Sequence, residues 1–243
     1  MVDGFQLRAE RHPKPLLVLV GVLFGSWTIW ATVVMPQLPP ASGAAYHVRA
    51  IGVRLLLWVV PSLYYLQRRY GWRIHRPLQL GPPPTPRHWA IALALTALAS
   101  VAVSFDVARQ LQLTMAEVWL RQLSGEVSFP TAPLLEEFVF RGVVLSELLI
   151  LLGVDSWEES ASLAGRGRFW LANLLASTVF TGLHWPWWIY QLGLADSQFW
   201  MNTAGVFSIS IVLGLLFVRG RSLWPCVVLH WINNELTGLV PAS

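Results

Sequence analysis

Residues 134–142 read LLEEFVFRG: two adjacent carboxylates and an arginine inside a run that otherwise has the composition of membrane-buried helix. A charged side chain at the bilayer centre costs about 2.5–3.5 kcal/mol on the insertion scale. Groups that costly persist when they pair, line a wet cavity or do chemistry. Helical geometry separates the three. Glu137 and Arg141 are i,i+4, about 40° apart, and can pair along one face. Glu136 and Arg141 are i,i+5, about 140° apart at roughly 3.6 residues per turn. Glu136 therefore points away from that pair and is left without a local partner. Taken alone, the trio also reads as a helix-packing device.

The surrounding composition decides the setting. The chain has 243 residues, 55% hydrophobic and 12% charged, about half the charged share of a soluble domain. That is the signature of an all-α, polytopic membrane protein, with the lipid bilayer as its first partner. The formal net charge of +4 does not indicate nucleic acid, because the arginines cluster in short loops between apolar runs, as membrane orientation requires. Cys226 is the sole cysteine, which excludes an intrachain disulfide and a thiolate metal cluster.

Seven segments approach the roughly 20 apolar residues that cross a hydrocarbon core as helix: 15–35, 50–66, 88–104, 131–153, 169–188, 199–218 and 222–240. Residues 105–129 are mixed. Val107, Leu111, Met115, Val118 and Trp119 fall at helical spacing and predict an amphipathic helix lying on the membrane. Pro39-Pro40 and Pro82-Pro83-Pro84 mark loops. With no repeat and no linker, residues 1–243 read as one membrane domain. A cytoplasmic N-terminus puts 12 of the 17 basic residues inside, with Arg49, Arg109 and Arg121 outside and Arg54 and Arg141 within spans. That bias follows the positive-inside rule and supports seven spans; the expected setting is a bacterial inner (plasma) membrane or a similar one. The small residues Ala41–Ala45 resemble a signal-cleavage site, but the apolar run before them exceeds the roughly 7–15 residues of a signal core, so it reads as a span.

Two other spans carry polar residues. In FTGLH, Phe180 and His184 are i,i+4; in HWINN, His230 and Asn234 are i,i+4 with Asn233 on a neighbouring face. A lone histidine in an apolar helix is usually a packing residue, but three helices each supplying such groups can build one cavity. A carboxylate there can take a proton from water with a histidine orienting it. A second histidine and an amide can stabilise a developing oxyanion. Other signatures of membrane peptide hydrolysis are missing: the sequence has no HExxH, no GxSxG and no GxGD.

EEFVFR (136–141), FTGLH (180–184) and HWINN (230–234) fit EExxxR, FxxxH and HxxxN. In that order they resemble the CPBP family of intramembrane glutamic-type proteases, also called the CAAX protease/bacteriocin-processing or Abi family. The likeness covers residues 130–240, which would form the catalytic core. It implies Glu136 as general base, His184 as its assistant, His230 and Asn234 as the oxyanion site, Glu137 and Arg141 as braces, and Phe180 as packing. A membrane-associated protein or peptide would be the substrate. No cofactor is expected, although one Glu and two His could bind zinc. The rival reading is a non-catalytic scaffold or immunity protein that binds a peptide in the same cavity. A transporter, the third reading, would want inverted repeats.

Overall fold

A computed structural model of the chain describes residues 12–39, 43–71, 80–124, 130–154, 163–194 and 196–240. Pro40 of the first expected loop, Ala41 of the small-residue cluster, and Arg8, Arg11, Arg73 and Arg76 of the charge count lie outside the described residues. Among those described, every regular element is helical. They are α1 (Lys14–Ile29), α2 (Gly43–Arg54), α3 (Val60–Tyr70), α4 (Pro86–Leu111), α5 (Met115–Ser124), α6 (Thr131–Glu137), α7 (Ser146–Leu151), α8 (Leu163–Gly182), α9 (Trp185–Tyr190), α10 (Asp196–Gly220) and α11 (Trp224–Thr237). Three π-helical segments join or extend them: Trp30–Val34 after α1, Leu55–Val59 between α2 and α3, and Phe138–Leu145 between α6 and α7.

Proline places several starts. It occupies the first turn of α1, α3, α4, α9 and α11, where its missing N–H has no intrahelical partner to lose. Four helical stretches are long and apolar enough to cross a membrane: Lys14–Gln37, Val48–Tyr70, Pro86–Leu111 and Asp196–Gly220. The other three expected spans are helical but differ for visible reasons. The stretch from α6 to α7 carries Glu136, Glu137, Arg141 and Glu147, α8 opens with Arg166 and Arg168, and α11 has only 14 residues.

The single surface helix expected over 105–129 is corrected. The preceding span runs on to Leu111, and a second helix starts at Met115. The break has two causes. Gln112 adopts the left-handed conformation at φ 55°, which ends α4. Thr114 and Glu117 then form a capping box, Thr114 Oγ1 accepting from the Glu117 N–H at 3.2 Å and Glu117 Oε2 from the Thr114 N–H at 2.7 Å. This T-x-x-E pattern is readable in sequence. Val107, Val118 and Leu236 bury together there, joining α4, α5 and α11, whereas Met115 is exposed.

The α6–π–α7 stretch is the centre of the bundle, and all residues from Val139 to Glu147 are buried. Its π segment packs on α3, α8 and α10, while α6 packs on α2 and α11. An aromatic series runs inward from the first span: Trp27–Trp58 at 4.7 Å, Trp58–Phe140 at 5.7 Å and Phe140–Phe180 at 4.8 Å between ring centroids. Close approach of α8 and α10 requires Gly214. A Cβ there would stand 1.8 Å from the Asn173 Oδ1, and Asn173 in turn donates to the Ile211 carbonyl at 3.0 Å. Side chains exposed along the long helices, such as Leu17, Leu98 and Met201, are apolar, the surface that lipid covers.

Candidate active site

Six of the residues singled out in the sequence, Glu136, Glu137, Arg141, Phe180, His184 and His230, meet where α6, the end of α8 and α11 come together. Glu136 and Glu137 are both buried at the end of α6 and point to different partners, as their 100° helical offset dictates. Glu137 Oε1 is 2.7 Å from His230 Nδ1, and its Oε2 is 3.2 Å from Arg141 Nε. Arg141 continues the chain outward, donating from Nη2 to the Ser210 carbonyl at 3.1 Å and to Ser210 Oγ at 2.8 Å. Its guanidinium also lies 4.7 Å from the Phe180 ring centroid. The buried cation and anion each have more than one partner, although Arg141 Nη1 and Glu137 Oε2 make no hydrogen bond among the described residues, and such partnering is what makes a pair tolerable out of water.

Because Glu137 fixes Nδ1 of His230, the Nε2 edge is turned to Glu136, whose Oε2 is 3.7 Å away. That is ion-pair range but too long for a direct hydrogen bond. His184 ends the α8 turn at the start of α9. Its Nδ1 is 2.8 Å from the Phe180 carbonyl, an acceptor only, so Nδ1 carries the hydrogen and Nε2 is left for other work. His184 and His230 both lie within electrostatic reach of Glu136. Phe180 packs edge-on against both imidazoles, at 4.8 Å from His184 and 5.8 Å from His230.

Asn234 stands apart. It is exposed one turn beyond His230, and its Oδ1 accepts only from Asn233, at 3.4 Å.

Sequence reasoning missed one member of the cluster. Glu136, without a partner on its own helix, finds one 82 residues away: Arg54 Nε donates to its Oε1 at 2.9 Å. The available signal was a charge inside the apolar run VRLLLW, whose partner had to be a carboxylate from another span. Arg54 and His184 also line a cleft of about 620 Å³ walled by Trp27, Trp30, Trp58 and Trp187. The buried carboxylate thus communicates with open space through these two side chains. Among the described residues no three His, Cys, Asp or Glu side chains are grouped to hold a metal ion.

A helical bundle with four transmembrane-length helices among the described residues and a buried carboxylate–imidazole cluster at its centre has the class of an integral membrane protein. Residues 118–236 match the family described as "Type II CAAX prenyl endopeptidase Rce1-like", a match consistent with the CPBP/CAAX protease family. No curated protein and no solved structure matches the chain. The family is one of proteases, which supports an endopeptidase acting on a peptide or protein in a membrane setting.

Proposed function

We propose that this chain is an intramembrane endopeptidase in which Glu136 is the general base. The observation that carries the reading is the relay Glu137–His230–Glu136: one carboxylate anchors the imidazole at 2.7 Å, and the ring's other nitrogen faces the second carboxylate at 3.7 Å. That gap suits a small reacting group between them, and the histidine is oriented by a third group as catalytic bases usually are. A water between Glu136 and His184 gives its proton to the carboxylate while Nε2 of His184 orients it. The water oxygen bonds to the scissile carbonyl carbon, and the carbonyl becomes an oxyanion. His230, when protonated, donates Nε2–H to that oxyanion while keeping Nδ1 on Glu137. Asn234 Nδ2 becomes the second donor once its side chain turns inward from Asn233. Collapse breaks the C–N bond, and Glu136 returns the proton to the leaving amine.

The reaction is read as metal-free. Glu136 already carries a guanidinium at 2.9 Å and His184 Nδ1 faces a carbonyl, so zinc does not fit this donor set as it stands. Counting the charged stretch 131–153, α8–α9 and α11 with the four longer helices gives seven spans in one domain, with the N-terminus cytoplasmic. On that orientation Glu136 lies nearer the non-cytoplasmic side, so the peptide substrate need not be prenylated.

The test compares membrane-protein termini in cells expressing the wild type or Glu136→Gln at matched levels. New peptide ends confined to the wild type establish proteolysis and identify a substrate. Identical termini, with any wild-type phenotype kept by the variant, would leave a binding or immunity protein on a protease fold.

A further inference from the structure

Arg54 is a cation placed deliberately against the reacting carboxylate. Its Nε holds Glu136 Oε1, its Nη1 donates to the Ala50 carbonyl at 3.3 Å, and its guanidinium lies 5.7 Å and 5.6 Å from the ring centroids of Trp27 and Trp58. The side chain is nevertheless 21% exposed, because it forms part of the cleft wall.

That wall is rich in donors and poor in acceptors. Arg49, Arg54 and His184 line it, and among the described residues no carboxylate does. The indole Nε1 groups of Trp27 and Trp58 are buried with no acceptor among the described residues. Such a cleft selects an anion attached to something apolar. The rest of its lining is apolar, with Trp27, Trp30, Val53, Trp58 and Leu183 around the cations, which suits an apolar chain that ends in the anion. A chain end that meets two guanidiniums is a carboxyl end.

We propose that Arg54 is a latch on Glu136, opened when the carboxylate of an entering peptide takes its guanidinium. This rests on the reading of Glu136 as the base. With the cleft empty, Arg54 occupies the oxygen that would accept the water's proton. When an arriving carboxylate pairs with Arg54, Glu136 Oε1 turns to the water. Arg54 is therefore a positioning residue that couples substrate recognition to the start of hydrolysis, and an empty enzyme does not attack passing membrane proteins.

The experiment reads binding, so it needs no turnover. Two fluorescent copies of one short apolar peptide, ending in a carboxylate or a carboxamide, are titrated by anisotropy against the detergent-solubilised full chain. The wild type should bind the acid about tenfold more tightly than the amide. Arg54→Gln should erase that preference with amide binding unchanged, and Arg54→Lys should retain part of it. Glu136→Gln should bind the acid more tightly than the wild type does, since removing the competing carboxylate frees Arg54. A structural role for Arg54 does not predict that last gain. Equal affinity for the two probes, binding of neither, or an acid preference that survives Arg54→Gln overturns the latch. So does loss of the acid preference when phosphatidylglycerol, but not phosphatidylcholine, is added to the detergent micelles, which would assign the cations to a headgroup. If acid selectivity appears but no new termini do, the cleft binds carboxyl ends and the protease reading fails alone.

Discussion

The central helix carries a buried carboxylate near each end, and both are met by an arginine of the same neighbouring span. Arg54 meets Glu136 at 2.9 Å and Arg69 meets Glu147 at 2.7 Å. The pairs occur in the same order along both segments, so Val48–Tyr70 runs parallel to the α6–π–α7 stretch. Beyond that the ends differ. Glu147 also accepts from Tyr65 at 2.7 Å and from Tyr70, so both its oxygens are engaged by hydroxyls, and it is 1% exposed. Glu136 has Arg54 on one oxygen, a histidine beyond hydrogen-bond range on the other, and a cleft beside its partner. Residue types alone do not separate a structural ion pair from a reactive one. Saturation does: a carboxylate with every lone pair occupied clamps helices, and one left incompletely bonded next to open space can accept a proton.

The largest effect that can break this contrast is on turnover. Once a substrate is known, Glu136→Gln should reduce kcat by about 100- to 10,000-fold, the range of a general base, with the protein still folded. Glu147→Gln should leave kcat of the folded fraction within about tenfold of the wild type, because Glu147 touches nothing that reacts. Equal losses in the two variants would abolish the distinction between the ends.

Stability should move the other way. Glu147→Ala takes that carboxylate from the half-buried Arg69 and leaves two tyrosine hydroxyls without their acceptor, which costs about 1–3 kcal/mol. Thermal unfolding of the solubilised protein, followed by helical circular dichroism, should show a clear drop in Tm. For Glu136→Gln the drop should be smaller, since the amide oxygen can still accept from Arg54. An unchanged Tm in Glu147→Ala would show that the Tyr65–Tyr70–Arg69 cluster does not hold the span Val48–Tyr70 to the centre.

How much of this was legible in the sequence follows from the range of each interaction. Glu137–Arg141 lies within one helix at i,i+4, so spacing alone brought it out, as it did Phe180 with His184. The separation of Glu136 from that pair was legible for the same reason. The partners Arg54 and Arg69 lie 82 and 78 positions from their glutamates, and no periodicity encodes a contact between spans. Glu147 went unremarked although it too is a charge in an apolar run. The π-helical segments, which re-register side chains and are common at functional sites, leave no compositional mark in WATVV, LLLWV or FVFRGVVL. Asn234 shows the converse. Spacing placed it one turn from His230, but its present partner is Asn233.

A third carboxylate tests how far burial, rather than hydrogen bonding, makes the difference between the two ends. Glu117 caps α5 in full exposure, where the Thr114 backbone N–H and hydroxyl hold its carboxyl below the usual 4.5. A depressed value in the folded state means the cap is at full strength above about 4.5 and is lost as pH falls through the folded value. Amide exchange over residues 115–118, compared between the wild type and Glu117→Gln, should therefore show a looser first turn in the variant at about pH 6. The two should converge in acid, once the pH has fallen below the depressed folded value and the wild-type carboxyl is protonated too. Thr114→Ala, which removes the other half of the box, should loosen the same turn by about 1 kcal/mol. A difference between wild type and Glu117→Gln that persists undiminished in acid would mean that the carboxylate's charge contributes nothing to the cap. Hydrogen-bond saturation would then lose its standing as what distinguishes the clamp at Glu147 from the proposed base at Glu136, and burial alone would have to explain them.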